Sequence, residues 1–327
     1  MKATKKLLAC FLALVMMFSM GLTAFAAGGT TYEDQPTVTI MKQYSPENEG
    51  TASPAATFTF SQVGEGEVLD GEAQSAPALT SISSVEFSQG DVQTSKPITV
   101  TLPTYDRVGV YGYTLAEVSG NVAGVNYDST TVYLKVTVML QNGQLVRQAR
   151  VYEDNKDGDK LGDNDAAFEN TYSVGTLSVT KTVDGNLGDT NKYFAFTVTL
   201  TGDAEKTGYA DAYEITGGSY ENPETIAIGS PVTVYLKHGE TISIANLPYG
   251  VSYTVTETDY ESDGYETTKS GDTGTINAAT QTASFTNTKT GEVDTGITLD
   301  SLPYILIVAV VLGAGAAFII SRRKVEE

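Results

Sequence analysis

FENTYSVGTLSVTK, residues 168–181, carries two phrases that recur elsewhere in the chain. Its opening, Phe168-Glu169-Asn170-Thr171, returns as Phe285-Thr286-Asn287-Thr288. Its close, Leu177-Ser178-Val179-Thr180-Lys181, echoes Val38-Thr39-Ile40-Met41-Lys42. Both phrases alternate apolar and polar residues, the period of a strand that buries one face. The first phrase ends one unit and the second begins the next. The units run over residues 35–172 and 173–289. Each opens on a strand ending in Lys, continues through a Phe-x-Phe strand (Phe58 and Phe60; Phe194 and Phe196), later has a Tyr-x-(Leu/Val)-x-Glu strand, and closes on Phe-x-Asn.

Outward from this join the pattern stays β. Period-two runs occupy residues 37–42, 57–61, 111–117, 133–140, 194–200 and 253–257, separated by Gly, Asp, Asn and Ser turns, without sustained helical periodicity. Strands at this spacing predict an all-β fold of two tandem, Ig-like β-sandwiches.

The ends read differently. Lys2, Lys5 and Lys6 precede an apolar stretch that finishes near Ala24-Phe25-Ala26, so residues 1–26 have the form of a signal peptide and 27–34 of a short N-terminal segment. Residues 290–301 are small and polar, a linker. Residues 302–321 are apolar enough for a transmembrane segment, and the basic tail 322–327 belongs on its cytoplasmic side. The body between is expected outside the cell.

Cys10 is the only cysteine and lies in the signal peptide, so the exported chain has no disulfide to staple it. The formal charge is −20, and removing both ends, which hold Lys2, Lys5, Lys6, Arg322, Arg323 and Lys324, makes the body more acidic still. That balance excludes nucleic acid as a partner and disfavours an anionic membrane surface. With no Trp and one His, the composition offers little for catalysis on a substrate, and a glycosidase-like carboxylate pair is not singled out by any spacing.

Strand parity then raises a chemical question. Val38, Ile40 and Lys42 share a face; so do Tyr111, Tyr113, Leu115 and Glu117, and Phe168 with Asn170. In the second unit the sets are Leu177, Val179 and Lys181; Val251, Tyr253, Val255 and Glu257; and Ala283, Phe285 and Asn287. Each unit thus directs one Lys, one Glu and one Asn into its core. A single such residue reads most simply as a strand end reaching solvent. Six in matching order do not, because buried charge is costly without a reason. Burial lowers a Lys pKa and raises that of Glu. A neutral amine can then attack the carboxamide carbon of Asn while a protonated Glu polarises it and shuttles protons as ammonia leaves. The product is a Lys–Asn isopeptide bond.

These residues resemble the backbone (major) pilins of Gram-positive bacteria, especially the two-domain streptococcal type. The segments GTLSVTKTVDG, KYFAFTVTL, NLPYGVSYTVTETDY and SFTNTKTGEVDTG follow that family's order, and YTVTETDYESDGY looks like its E-box. The resemblance implies sandwiches of the Cna B type, with Lys181 joined to Asn287 beside Glu257 and Lys42 joined to Asn170 beside Glu117. It also implies a sortase sorting signal at Glu292-Val293-Asp294-Thr295-Gly296, where Asp294 stands at the position usually held by proline. Cleavage between Thr295 and Gly296 would pass Thr295 to an amine of an identical subunit, building a covalent homopolymer, or finally to peptidoglycan. The accepting lysine implied is Lys160, with Lys156 the second choice. The family reading is a surface pilus subunit whose membrane-anchored precursor is handed to sortase, possessing no cofactor and no enzymatic activity beyond forming its own crosslinks. A wall-anchored monomeric adhesin stalk or accessory pilin is the alternative.

Two further stretches carry residues of metal-binding or catalytic type. The run EDNKDGDKLGDND, residues 153–165, places Glu153, Asn155 and Asp157 at calcium-loop positions but Asn164 where a bidentate Glu is required, so it reads as a solvated acidic loop and no metal is assigned. His238 has no Cys or His companion for a metal or a triad.

Overall fold

The computed structural model describes residues 31–48, 51–292 and 302–323. The signal peptide 1–26, Val293, Asp294, Thr295 and Gly296 of the sorting motif, and Lys324 of the basic tail lie outside the described residues.

Strands dominate. In the first half they are β1 (Thr37–Pro46), β2 (Ala56–Gly71), β3 (Ser81–Ile82), β4 (Val85–Phe87), β5 (Ser95–Thr101), β6 (Gly109–Val118), β7 (Val125–Asn126), β8 (Thr131–Gln141), β9 (Gln144–Glu153) and β10 (Ala166–Tyr172). In the second they are β11 (Val174–Asp184), β12 (Phe194–Thr201), β13 (Tyr213–Gly217), β14 (Thr225–Ile226), β15 (Val232–Leu236), β16 (Thr241–Pro248), β17 (Ser252–Glu257), β18 (Glu266–Ser270), β19 (Thr273–Thr275) and β20 (Thr280–Thr288). The six runs read from period-two alternation all fall within strands, and the all-β expectation holds.

Each half is two facing sheets. The first stacks β3-β5-β1-β10-β7 on β4-β2-β6-β8-β9; the second stacks β14-β13-β16-β11-β20-β18 on β15-β12-β17-β19. Alternating inward residues fill two separate cores, one around Phe58, Phe168 and Tyr113, the other around Phe194, Phe196 and Phe285. The repeat extends to packing: Phe60 meets Phe168 with ring centroids 5.1 Å apart, and Phe196 meets Phe285 at the same 5.1 Å.

One topological feature positions the site. The first and last strands of each half are parallel neighbours, β1 with β10 and β11 with β20. A parallel pair cannot be closed by a hairpin. Here the crossover is the rest of the unit, so the two strands meet only when that unit has folded.

The halves touch directly at the join. The N–H of Ala123 donates to the carbonyl of Thr207 (2.8 Å), and that of Thr207 to the carbonyl of Asn121 (2.9 Å), forming a short parallel bridge. Asn48 Nδ2 reaches across to the Val174 carbonyl at 2.7 Å. Gly124 sits at φ +73°, and a Cβ there would lie 2.8 Å from the Ser173 carbonyl oxygen and 3.1 Å from Pro248, so both conformation and space require glycine.

The segment before β1 is tied along β9. Asp34 pairs with Arg147 at 2.5 Å, and Gln35 N–H donates to the Arg147 carbonyl. At the other end a helix, α1 (Leu302–Arg323), carries the apolar run. Over residues 305–318 its side chains are exposed. Among the described residues no helix is long and apolar enough to cross a membrane.

Candidate functional site

In the first unit β1 continues its inward face from Ile40 to Lys42 to Tyr44, all buried. Parallel register sets Lys42 opposite Phe168 and Tyr44 opposite Asn170, so Lys42 and Asn170 are inward-facing diagonal neighbours on adjacent strands. Glu117 approaches from the opposite sheet, at the end of β6, where it pairs with Phe60 of β2. Lys42 Nζ lies 2.6 Å from Glu117 Oε2, with both side chains fully buried. This contact is an ion pair, and among the described residues neither atom has a hydrogen-bond partner. Asn170 Nδ2 donates to Glu117 Oε1 at 2.5 Å.

The second unit repeats the arrangement. Lys181 is opposite Phe285 and Val183 opposite Asn287, while Glu257 ends β17 opposite Phe196. Lys181 Nζ and Asn287 Nδ2 both donate to Glu257 Oε1, at 2.8 and 2.9 Å. An aromatic wall encloses each amine: Lys42 Nζ is 4.7 Å from the centre of Phe58, Lys181 Nζ 4.2 Å from that of Phe194. The Phe-x-Phe strand is therefore the apolar side of each site.

Burial dominates the electrostatics. Removal from water pushes the Lys42 and Lys181 ammonium groups below their ordinary range, opposed in each case by the paired carboxylate. It pushes the Glu117 and Glu257 carboxyls up, opposed by the lysine and the carboxamide. Both shifts favour the neutral amine beside the protonated acid. That form is also what an attack on a carboxamide needs.

The two sites differ at the carboxamide oxygen. Asn170 Oδ1 accepts the backbone N–H of Asp128 at 2.8 Å, whereas Asn287 Oδ1 is buried with no hydrogen-bond partner among the described residues. Asp128 was not singled out in the sequence. Asp-x-Thr at Asp128-Ser129-Thr130 is a legible turn signal, but its contact with a residue 42 positions on is not.

The remaining candidates lie elsewhere. Lys160 is exposed, forms an antiparallel bridge with Tyr152 beside β9, and has no ion pair among the described residues. Lys156 is exposed and 3.0 Å from Asp157. Glu292 is exposed. In the acidic loop Asn155 Oδ1 accepts the Asp157 N–H and Asp165 Oδ2 that of Gly162, while among the described residues no cluster of three His, Cys, Asp or Glu is placed to hold a metal ion. His238 Nδ1 accepts the Val183 N–H, securing β11 just beyond Lys181.

Tandem β-sandwiches, each closing its first and last strands over a buried Lys–Glu–Asn cluster, define the class. Comparison with known proteins agrees. Residues 38–173 match the Spy0128-like isopeptide containing domain, and residues 175–289 match a domain of unknown function, DUF7601. A pilin of Streptococcus pyogenes serotype M1 is 30% identical over 340 residues, covering 95% of this chain and 98% of the relative. The crystal structure of the major pilin from Streptococcus pyogenes matches with a TM-score of 0.57 at 25% identity, over 80% of this chain and all of that one. The T3.2 major pilin of the same species shares the fold, with a TM-score of 0.56 at 23% identity, over 79% of this chain and 99% of that one. The chain belongs to the pilin family, and the resemblance to streptococcal major pilins holds.

Proposed function

We propose that this chain is the structural backbone subunit of a covalently polymerised surface pilus, exported by its signal peptide and held by its apolar tail until a sortase acts. Its only chemistry is self-modification: Lys42 bonds to Asn170 and Lys181 to Asn287, promoted by Glu117 and Glu257. Sortase then joins Thr295 to Lys160 of the next subunit, or to peptidoglycan at the base, and accessory pilins share the same fibre. One observation carries this reading. Each unit buries an amine, a carboxyl and a carboxamide in contact, where parallel end strands meet.

Each bond is a condensation. The amine nitrogen bonds to the Asn Cγ, the Cγ–Nδ2 bond breaks, and the carboxyl carries a proton from Nζ to the departing nitrogen, which leaves as ammonia. Intact mass of the exported body tests it: two bonds lower the mass by about 17 Da each. A mass equal to the uncorrected sequence refutes both crosslinks. For assembly, a ladder of high-mass species that survives boiling in detergent is expected from cells carrying the matching sortase, and a single wall-linked band refutes polymerisation.

A further inference from the structure

We propose that the backbone N–H of Asp128 is the oxyanion donor for bond formation at the first site, held there by its own side chain; this rests on the crosslinking reading above. Attack by Lys42 Nζ on Asn170 Cγ moves the C=O electron pair onto Oδ1. The Asp128 N–H already lies 2.8 Å from that oxygen. At the opposite end of the carboxamide, Nδ2, the leaving nitrogen, is on Glu117 at 2.5 Å. The group is gripped at both atoms that change charge. When the intermediate collapses, Oδ1 returns its pair to carbon, the Cγ–Nδ2 bond breaks, and ammonia departs with the proton that left Nζ.

The Asp128 carboxylate does not itself face the amine with a free oxygen. Oδ2 accepts the Glu169 N–H at 2.6 Å, and Oδ1 accepts both the N–H and the hydroxyl of Thr130, at 2.8 and 2.7 Å. Asp128 therefore clasps the Glu169-Asn170 dipeptide at two points, N–H to the Asn side chain and carboxylate to the preceding backbone. Such a clasp fixes the donor before the reaction, which gives a fixed dipole its advantage over water. Among the described residues the second site has no counterpart: Asn287 Oδ1 is buried without a hydrogen-bond partner there. There Glu257 alone must serve both ends of the carboxamide.

The donor can be deleted without touching a reacting side chain. Cell-free translation with a suppressor tRNA installs either aspartate or its α-hydroxy counterpart, malate, at position 128, so the two products differ only by N–H against ester oxygen and both keep the clasp. Samples taken over time and mapped by protease digestion and mass spectrometry count the Lys42–Asn170 and Lys181–Asn287 crosslinked peptides separately. The same pair in a Glu117→Ala background, which forms no first crosslink, fixes an assay temperature at which both are folded. Malate is expected to slow the first crosslink by about 10²–10³-fold relative to aspartate, and Asp128→Ala to slow it relative to wild type, while the second crosslink keeps its rate in every case. Equal first-site rates for aspartate and malate overturn the donor's role. A wild-type chain that forms neither crosslink instead overturns the reading on which the proposal rests.

Discussion

Asn287→Ala isolates the contribution of the second crosslink, because it removes the electrophile and leaves the Lys181–Glu257 pair, 2.8 Å apart, in place. Asn287 is fully buried, and its Nδ2 lies 2.9 Å from Glu257 Oε1, where the leaving nitrogen meets the carboxyl. The proposed bond from residue 181 to residue 287 would close a loop of roughly a hundred residues, which by loop-closure entropy would stabilise the folded unit by about 5 kcal/mol. At about 3–5 °C per kcal/mol for a unit of this size, the second unit's transition is expected to fall by roughly 20 °C. Differential scanning calorimetry of the exported body measures it. The first unit's transition should stay put, since its cluster lies in a separate core. The denaturant slope should rise as well, because the unbridged unfolded chain exposes more surface. If the mass confirms loss of one bond and the transition moves by less than about 5 °C, the loop-closure reasoning is refuted.

Bond formation needs a neutral Lys beside a protonated Glu, so its rate, followed by mass in nascent chains at set pH, is expected to be bell-shaped, with the pair rather than either residue setting the limbs. In Asn287→Ala the ionisable pair survives. Stability from the raised Glu257 carboxyl is full below its ordinary 4.5 and lost as pH climbs through the raised value; stability from the lowered Lys181 ammonium is full above 10.5 and lost as pH falls through the lowered one. Against a Lys181→Met, Glu257→Gln double variant, chemical denaturation should therefore show a trough in stability between those windows, and a flat difference would count against burial as the cause. Lys160→Ala should abolish the polymer ladder on immunoblots while both ammonia losses persist; Lys156→Ala should leave the ladder intact. Gly124→Val forces a β-branched residue into positive φ with its Cβ against the Ser173 carbonyl, and should broaden the interdomain distance distribution in small-angle scattering while both ammonia losses persist.

The alternation of Val38, Ile40 and Lys42, or of Tyr253, Val255 and Glu257, was enough to place those side chains on inner faces, because the period of a strand is a local property. The clusters were legible for the same reason: six polar residues continued apolar faces in the same order twice. Partner strands were not legible. That β1 lies parallel to β10, with Tyr44 opposite Asn170, depends on pairing across most of a unit, which alternation does not encode. Short strands such as β7 and β14 have no period long enough to read. Asp128 escaped for a further reason. It acts through its backbone N–H, and a main-chain donor is the same in every non-proline residue, so no residue type marks its position.

Lys160 as the proposed acceptor has a mechanical consequence that the two proposed crosslinks would not share equally. If tension enters at Lys160 and leaves at Thr295, the covalent path runs along residues 160–181, crosses to Asn287 through the second bond, and continues to 295. Residues 182–286 are short-circuited, so unfolding them adds no length. Lys42 is off this path, because the first bond joins Asn170 to a strand that bears no through-load. Losing the second bond would release roughly a hundred residues at about 3.3–3.6 Å each, some 350 Å per subunit. Losing the first would release nothing comparable, since only residues 161–169 lie between the acceptor and Asn170. Single-molecule pulling on sortase-assembled fibres separates these cases. Asn287→Ala fibres are expected to lengthen in steps near 350 Å, and Asn170→Ala fibres to stay as inextensible as wild type. Steps of similar length in Asn170→Ala fibres would place the acceptor amine upstream of Lys42, and so refute Lys160.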